Sequence, residues 1–423
     1  MTLPERIRRL KVHICGQPRG ELWQQSQLLF KYDHADPEQT AVGLLMPPTR
    51  LLYQSNSLFP VMDQNLPEGF LFQQIRAVFP KQRLTAMHLL ALIGDNGIGR
   101  LGFYLPEAAK PHQPQPVSKA VLLRTAYSPQ LFEQLVQAYL STGVGIAGIQ
   151  PKILVPDRAT VPVPNLIVKA GSESYPGLAA NEFLCLSAAR RAGMETPVFE
   201  LSDDGHLLLI DRFDLDAAGQ RWGFEDVAAL MGLCVRDTLS DRKYYGSYEQ
   251  IADSLKMIGL SARDLERFFE QVVLSVMVHN GDGHLKNFGV VYRNAQDVRL
   301  SPVYDVVTTA IYRYTRYEGG PELEDRTLAL RLFRKSRSKA YPLPEELIRF
   351  GRRICGVEHP HVILQRIAEA MNATLTAAHH DERIPPQTLA ACHSVWQRGL
   401  HYAPKPAPPA AARSSRGCRR GHY

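Results

Sequence analysis

The chain has 423 residues, 45% of them apolar and 22% charged, with a formal net charge of +7. That length can bury about two or three cores, and no apolar run approaches the roughly 20 residues that a membrane helix needs. Lys405, Arg413, Arg416, Arg419 and Arg420 lie between Ala403 and Tyr423 with no acid among them, so the rest of the chain carries only +2. The basic balance therefore belongs to the tail and not to the body.

The first ten residues carry Arg6, Arg8 and Arg9 but no apolar core, so no secretory signal is expected. The six cysteines (15, 185, 234, 355, 392, 418) are scattered without a Cys-x-x-Cys pair. That usage suits reduced thiols in a cytoplasmic protein.

In chain order, Val12, Ile14, Leu22 and Leu28-Leu-Phe-Lys-Tyr32, punctuated by Gly16, Pro18 and Gly20, predict a β-rich start over 11–46. Helices are expected near 68–79 and 84–93. Ala108 to Pro116 is Pro-rich and reads as a linker. Ser128 to Leu140 has a helical stripe of Leu131, Leu135 and Tyr139. Lys152–Val155 and Leu166–Lys169 are strand-like, and Leu178–Ala192 is a helix stopped by Gly193. Pro197–Leu201 and His206–Ile210 form a hairpin about Asp203-Asp-Gly205. After Asp214 the pattern is mainly helical, with helices near 262–278, 344–355, 359–376 and 386–400. Strands are expected at 288–292, 298–304 and 327–332. The fold class is α+β, with a β-rich cap (1–110), a linker (111–118), a mixed lobe (119–215), a helical lobe (216–402) and a basic tail (403–423). The Pro/Ala/Arg composition of the tail cannot build a core and predicts a solvated end. A weak anchor for nucleic acid is the alternative.

The densest chemistry lies in Val278-His-Asn-Gly-Asp-Gly-His-Leu-Lys-Asn-Phe-Gly289. Asn280, Asp282, His284, Lys286 and Asn287 fall between an apolar helix and an apolar strand. A strand-end Asp305 follows after Tyr304. An Asp, an Asn five positions on and an Asp beyond the next hairpin are the parts of phosphoryl transfer in kinase-like enzymes. The first Asp takes the acceptor's proton. The Asn and the second Asp supply hard oxygens to a magnesium ion that sits on the phosphates. Asp282 is accordingly the candidate base, and Asn287 and Asp305 are the candidate metal ligands. A plain Asn-Gly-Asp-Gly turn is the bland alternative, but a turn alone does not require His284, Lys286 and Asn287. His284 reads as a loop-holding residue, with metal ligation as its alternative. Lys286 can meet phosphate or pair with an acid. Lys169 ends an apolar strand and is either a snorkelling lysine or the residue that grips nucleotide phosphates. Glu182, thirteen residues later on the next helix, is its candidate partner.

These segments together resemble the HipA-type serine/threonine kinases of bacterial toxin–antitoxin systems. Phe59-Pro-Val-Met-Asp-Gln-Asn-Leu-Pro-Glu-Gly69 and Leu92-Ile-Gly-Asp-Asn-Gly-Ile-Gly-Arg100 are similar to that family's N-terminal subdomain. Gly145-Ile-Ala-Gly-Ile-Gln-Pro-Lys152 is similar to its phosphate loop. Asn181-Glu-Phe-Leu-Cys185, Asp211-Arg-Phe-Asp214, the 280–287 loop and Tyr304-Asp305 complete the set. The resemblance implies a kinase-like two-lobed fold, with ATP and Mg2+ as cofactors. It implies nucleotide contacts at Ala147, Gly148, Ile149, Gln150, Lys152 and Lys169. It also implies a hinge at Asp211, Arg212 and Phe213, with His284, Lys286 and Tyr304 beside the nucleotide. Family members often carry a serine, whose autophosphorylation silences the kinase, where this chain has Gly145. Glycine has no hydroxyl, so that switch cannot act at this position.

The resemblance further implies a protein substrate with a Ser or Thr acceptor, often an aminoacyl-tRNA synthetase, and arrested growth as the outcome. A small helix-turn-helix antitoxin is the implied partner, with DNA reached only through it. A pseudokinase serving as a binding subunit is one competing reading. A metal-dependent nuclease built on His279, Asp282 and His284 is another, but such sites usually gather several ligands about two metals. No Cys/His finger is present in the sequence to suggest direct DNA reading.

Overall fold

The computed structural model describes residues 3–35, 40–107, 118–128, 130–131, 152–155, 165–171, 175–235, 241–315 and 320–403. Ala147, Gly148, Ile149 and Gln150 lie outside the described residues, as do the 108–116 linker, most of the expected helix 128–140 and the tail from 404.

Five antiparallel strands, β1 (Arg9–Ile14), β2 (Gln17–Gln24), β3 (Leu28–Tyr32), β4 (Leu52–Ser55) and β5 (Leu101–Tyr104), make the cap sheet in the order β4-β3-β2-β1-β5. Period-2 alternation sends Leu10, Val12, Ile14, Leu22, Leu28, Phe30 and Tyr32 into one core. The short helix α1 (Pro60–Asp63) and helices α2 (Gly69–Val78) and α3 (Ala86–Ile93) follow. A further short helix, α4 (Lys119–Arg124), leads towards the second sheet. That sheet has the order β6-β7-β9-β8, with β6 (Lys152–Val155), β7 (Leu166–Ala170), β8 (Phe199–Leu201) and β9 (Leu207–Asp211) all antiparallel. Leu207, Leu209, Leu166, Val168 and Ala170 join the cap core. Leu208 and Ile210 face the other way, towards helix α5 (Leu178–Arg191). The continuous apolar run at 207–210 follows from this, because the sheet is covered on both faces.

The remainder is mainly helical: α6 (Val227–Leu230), α7 (Tyr248–Met257), α8 (Ala262–Met277), α9 (Pro344–Phe350), α10 (Pro360–Ala378) and α11 (Pro386–Gly399). The expected α+β class stands. One expected strand does not form, and the strand expected over 298–304 covers only Val298–Leu300. Residues 327–332 form no strand; Thr327 and Arg331 make isolated bridges to Ala340 and Ser247. An unexpected strand, β10 (Gly223–Asp226), pairs with β11 (Gly289–Tyr292), which pairs with β12 (Val298–Leu300). A two-residue hairpin of β13 (Arg313–Tyr314) and β14 (Leu323–Glu324) was also unforeseen. Among the described residues no helix is long and apolar enough to cross a membrane. Of the described cysteines only Cys15 is exposed.

The cap is fastened to the helical lobe by side chains that satisfy backbone groups. Gln64 donates to Phe224 O at 2.8 Å and accepts from Asp226 N at 2.9 Å. Asp63 accepts from Val235 N at 2.8 Å, and Asp214 accepts from Gly99 N at 2.6 Å. Glu225, buried at this seam, accepts from Leu44 N and from the Tyr292 hydroxyl, both at 2.6 Å. Burial pushes its carboxyl up to about 7. A carboxyl raised in the fold binds its proton there more tightly than in the unfolded chain. Its contribution is therefore present in acid and is lost as pH rises from its ordinary value of 4.5 to about 7. Glu225→Gln is expected to match the wild type at pH 4.5 and to be more stable by about 2–3 kcal/mol at pH 8. Urea midpoints at the two pH values check this, and a pH-independent difference would refute it.

Candidate active site

Helix α8 delivers the polar loop. Its start is capped by Ser261, whose side chain accepts from Asp264 N. Leu265, Phe268, Phe269, Val272, Val273 and Val276 fill the core along one stripe. The helix closes with His279 in the left-handed region (φ 54°). Asn280 N donates to Ser275 O at 2.8 Å, and His279 N donates to Val276 O at 3.2 Å. This paired ending turns the chain sharply into the loop. Gly281 then presses against the neighbouring segment: a Cβ there would lie 2.8 Å from an Asp325 carboxylate oxygen and from Thr327 O.

The loop is a closed hydrogen-bond unit. Asn280 accepts from Asp282 N at 3.1 Å. His284 Nδ1 accepts from Lys286 N at 3.3 Å, and Asn287 Oδ1 accepts from His284 N at 2.9 Å, forming a reciprocal cap of the 3-10 turn Leu285–Asn287. Burial, with Lys243 adding to it, pushes the His284 imidazole well below its ordinary value, so it is neutral near pH 7. His284 thus has the loop-holding contacts expected of it.

The rest of the site converges from three other elements. Asp305 sits after β12 with φ 59°, a conformation that costs a non-glycine residue about 1–3 kcal/mol and that Asp tolerates better than most. Its carboxylate accepts from Asn287 Nδ2 at 3.2 Å and pairs with Lys169 at 2.9 Å. Lys169 stands on the α5 side of β7, since Val168 and Ala170 face the cap. There it is also bonded to Glu182 of α5. Burial alone would pull the Lys169 ammonium down, but the Asp305 and Glu182 carboxylates outweigh it and hold it above the ordinary lysine value. The α5 helix is locked to the chain beyond Asp305 by Asn181, which accepts from Thr308 N at 2.9 Å and donates to Thr308 O at 3.1 Å.

Lys169, Phe213, Asp282, His284, Lys286, Tyr304 and Asp305 line one cavity of about 610 Å³. Glu182 and Asn287 stand buried behind it, bonded to Lys169 and Asp305. Phe213, Phe224 and Tyr304 pack edge-on or tilted at 5.5–6.1 Å and, with Ile98, Ile167 and Ile210, give the cavity an apolar section. Tyr304 also donates to Lys286 O at 2.8 Å.

Other expected residues lie elsewhere. Asp211 and Arg212 do not line the cavity. The Asp211 carboxylate pairs with Lys119 at 2.8 Å, and Arg212 is buried against Asp214 and Gly97 O. Their N–H groups donate to Val198 O and Asn165 O. Lys152 faces Lys169 in the β6–β7 register, with its side chain outside the description. Lys286 takes the acid-pairing alternative, bonding Glu68 of the cap at 2.6 Å. The trio needed for a nuclease does not assemble: His279 packs on Tyr341 with ring centroids 4.4 Å apart and does not line the cavity.

Sequence reasoning missed Gln64, Asn65 and Glu68, which bring the cap into the cavity. It also missed Tyr244, whose hydroxyl donates to Asp282 Oδ1 at 2.7 Å. Glu68 lies inside a motif already singled out, but its partner Lys286 is 218 residues away. Local pattern carries no signal for such a pair.

Residues 10–104 match the family model described as the HipA N-terminal domain, and residues 144–378 match the HipA-like C-terminal domain. A Sinorhizobium fredii protein named "Putative kinase Y4dM" is 34% identical over 161 residues, covering 34% of this chain and 38% of that protein. A Haemophilus influenzae protein named "Putative kinase" is 29% identical over 187 residues, covering 40% and 54%. The chain thus spans about half or less of the length of these curated relatives. The HipA chain of the Shewanella oneidensis MR-1 toxin–antitoxin system, solved with HipB and operator DNA, superposes with a TM-score of 0.65 at 17% identity. That match covers 93% of this chain and 96% of the other, and it establishes a shared fold.

Proposed function

The chain belongs to the HipA family, and from that premise we propose that it is an ATP- and Mg2+-dependent protein kinase acting on a Ser or Thr hydroxyl of another protein. The observation that carries this reading is the junction of Lys169 and Asp305 on the wall of the cavity that Asp282 also lines, with Asn287 bonded to Asp305 from behind. The apolar section around Phe213, Ile167 and Ile210 suits a purine ring. Lys169 lines the same cavity, which supports it as the cation for the polyphosphate tail. In the transfer, the acceptor oxygen bonds to the terminal phosphorus, the bond from that phosphorus to the ADP oxygen breaks, and Asp282 takes the hydroxyl proton.

The donor set suits Mg2+ in kind. Asp305 offers a carboxylate and Asn287 an amide, both hard-oxygen groups. Among the described residues no cluster of three or more His, Cys, Asp or Glu residues could hold a metal, so phosphate and water oxygens would complete the shell. The Asn287 oxygen now caps His284 N, with its NH2 towards Asp305. Turning that amide over would offer the oxygen to the ion and release the cap. Bound there, the ion supplies charge neutralisation on the phosphates.

A partner of the HipB kind and DNA contact through it alone form part of the proposal, supported by the shared fold. Growth arrest through a phosphorylated synthetase is the implied outcome. The reading is tested by incubating the full chain with MgCl2, γ-labelled ATP and a cell lysate. Label is expected in lysate protein and should vanish with EDTA. ATP binding without transfer, or nucleic acid cut without ATP, would overturn it.

A further inference from the structure

The base proposed above needs a fixed direction. Asp282 follows a glycine and precedes another, and its side chain is 40% exposed. A carboxylate in that setting samples several rotamers unless its neighbours hold it. Tyr244 is placed to do so. It sits at the end of the 3-10 turn Asp241–Tyr244, lines the same cavity, and donates its hydroxyl to Asp282 Oδ1 at 2.7 Å. Its ring lies edge-on to His284 with centroids 5.1 Å apart. A phenol has only two torsions to fix, so it makes a stiff strut.

The strut is itself anchored. Lys339 donates to Tyr244 O at 3.0 Å. The preceding residue, Lys243, pairs with Glu68 of the cap at 3.4 Å. The other oxygen of the Glu68 carboxylate holds Lys286 at 2.6 Å, next to Asn287. All three side chains of this ion cluster are almost fully buried.

We infer that Tyr244 is a positioning residue for the base Asp282, and that the N-terminal cap steadies it through Glu68. The inference rests on the kinase reading and deepens it. A carboxylate has about four lone-pair sites, so the bond from Tyr244 leaves acceptor capacity for an incoming hydroxyl. Because Tyr244 holds the base and not the nucleotide, its loss acts on the rate of transfer and not on ATP capture.

The test compares wild type, Tyr244→Phe, Asp282→Asn and the double variant in Mg-ATP phosphotransfer. A loss of orientation is worth roughly 10- to 100-fold in rate. Tyr244→Phe is expected to lower kcat by about that factor, with KM for ATP within about twofold of wild type. Added to Asp282→Asn, it is expected to cost nothing further, since the strut then has no base to hold. Glu68→Gln should lower kcat in the same direction; because it leaves two buried lysines short of a partner, its melting temperature is recorded alongside, and the Tyr244→Phe result decides. An unchanged kcat in Tyr244→Phe, a change confined to KM, or independent losses in the double variant would each overturn the inference. So would phosphate found on Tyr244 after incubation with ATP, which would make the phenol an acceptor. If the wild type itself transfers no phosphate, the kinase reading fails first and the positioning role falls with it. A working wild type and an equally active Tyr244→Phe sink the positioning role alone.

Discussion

Asp282→Asn is expected to leave the chain folded and able to bind ATP while lowering phosphotransfer by about 10²–10⁴-fold, the usual worth of a general base. The substitution keeps the shape of the side chain, and its amide oxygen can still accept the Tyr244 hydroxyl that now bonds Oδ1. Asp282 N keeps its bond to Asn280, since that contact is made by the backbone. The partly exposed position removes any large desolvation effect. Melting temperature and nucleotide titration should therefore match the wild type, with only the transfer rate changed. A transfer rate within about threefold of wild type would remove Asp282 from the role of base. It would leave positioning and electrostatics as the source of any rate, as in phosphoryl transfer with little proton movement in the transition state.

What the sequence revealed, and what it hid, divides by the range of the interaction. The elements around the site were readable because each is written in a contiguous stretch: the stripe of α8, the strand before Lys169, the helix carrying Glu182 and the polar loop between them. The Lys169–Glu182 contact was foreseen because kinase chemistry uses such a pair; Asn287 and Asp305 were read as ligands of one ion, and their direct bond to each other was not foreseen. Strand β10 was not foreseen, because Gly-Phe-Glu-Asp has neither alternation nor β-branched residues; its place is set by pairing with β11 and by Gln64 from the cap. The segment 327–332 looked like a strand from its Leu-Ala-Leu run. Leu328, Ala329, Leu330 and Leu332 are indeed buried in the core, but the backbone makes only isolated bridges. Apolar content reported burial correctly and backbone pairing wrongly.

Asp211 and Arg212 teach a related point. Their family landmark was visible, yet their side chains serve the Lys119 and Asp214 pairs and leave Phe213 alone at the cavity. The cap residues Gln64, Asn65 and Glu68 had no readable role because each acts across more than 30 residues, on Phe224, Ile98 and Lys286. Those contacts bring residues of the N-terminal cap to the edge of the cavity. A cap so placed does more than cover a core: it contributes to the wall of the cavity.

The second large effect falls on Lys169. Lys169→Met is expected both to slow transfer sharply and to destabilise the fold, and the two consequences can be separated. The lysine is bonded to Glu182, whose side chain is 1% exposed, and to Asp305, which is 22% exposed. Breaking a buried ion pair by removing one partner costs about 3–5 kcal/mol, because a carboxylate that had been neutralised stays buried. Glu182 dominates that cost, since Asp305 has solvent to relax into. Adding Glu182→Gln should recover most of the lost stability by discharging the buried group. It should not recover activity, because the cation that would meet the phosphates is still missing; removing one such stabilising group typically costs about 10²–10³-fold in rate. Urea melts on the wild type and on the single and double variants read the first effect, and labelled transfer reads the second. If the double variant regains both stability and transfer, Lys169 is a structural ion-pair partner and the phosphate-gripping role belongs to another cation in the cavity. If it regains stability alone, the buried triad is a site in which folding and chemistry draw on the same lysine for different reasons.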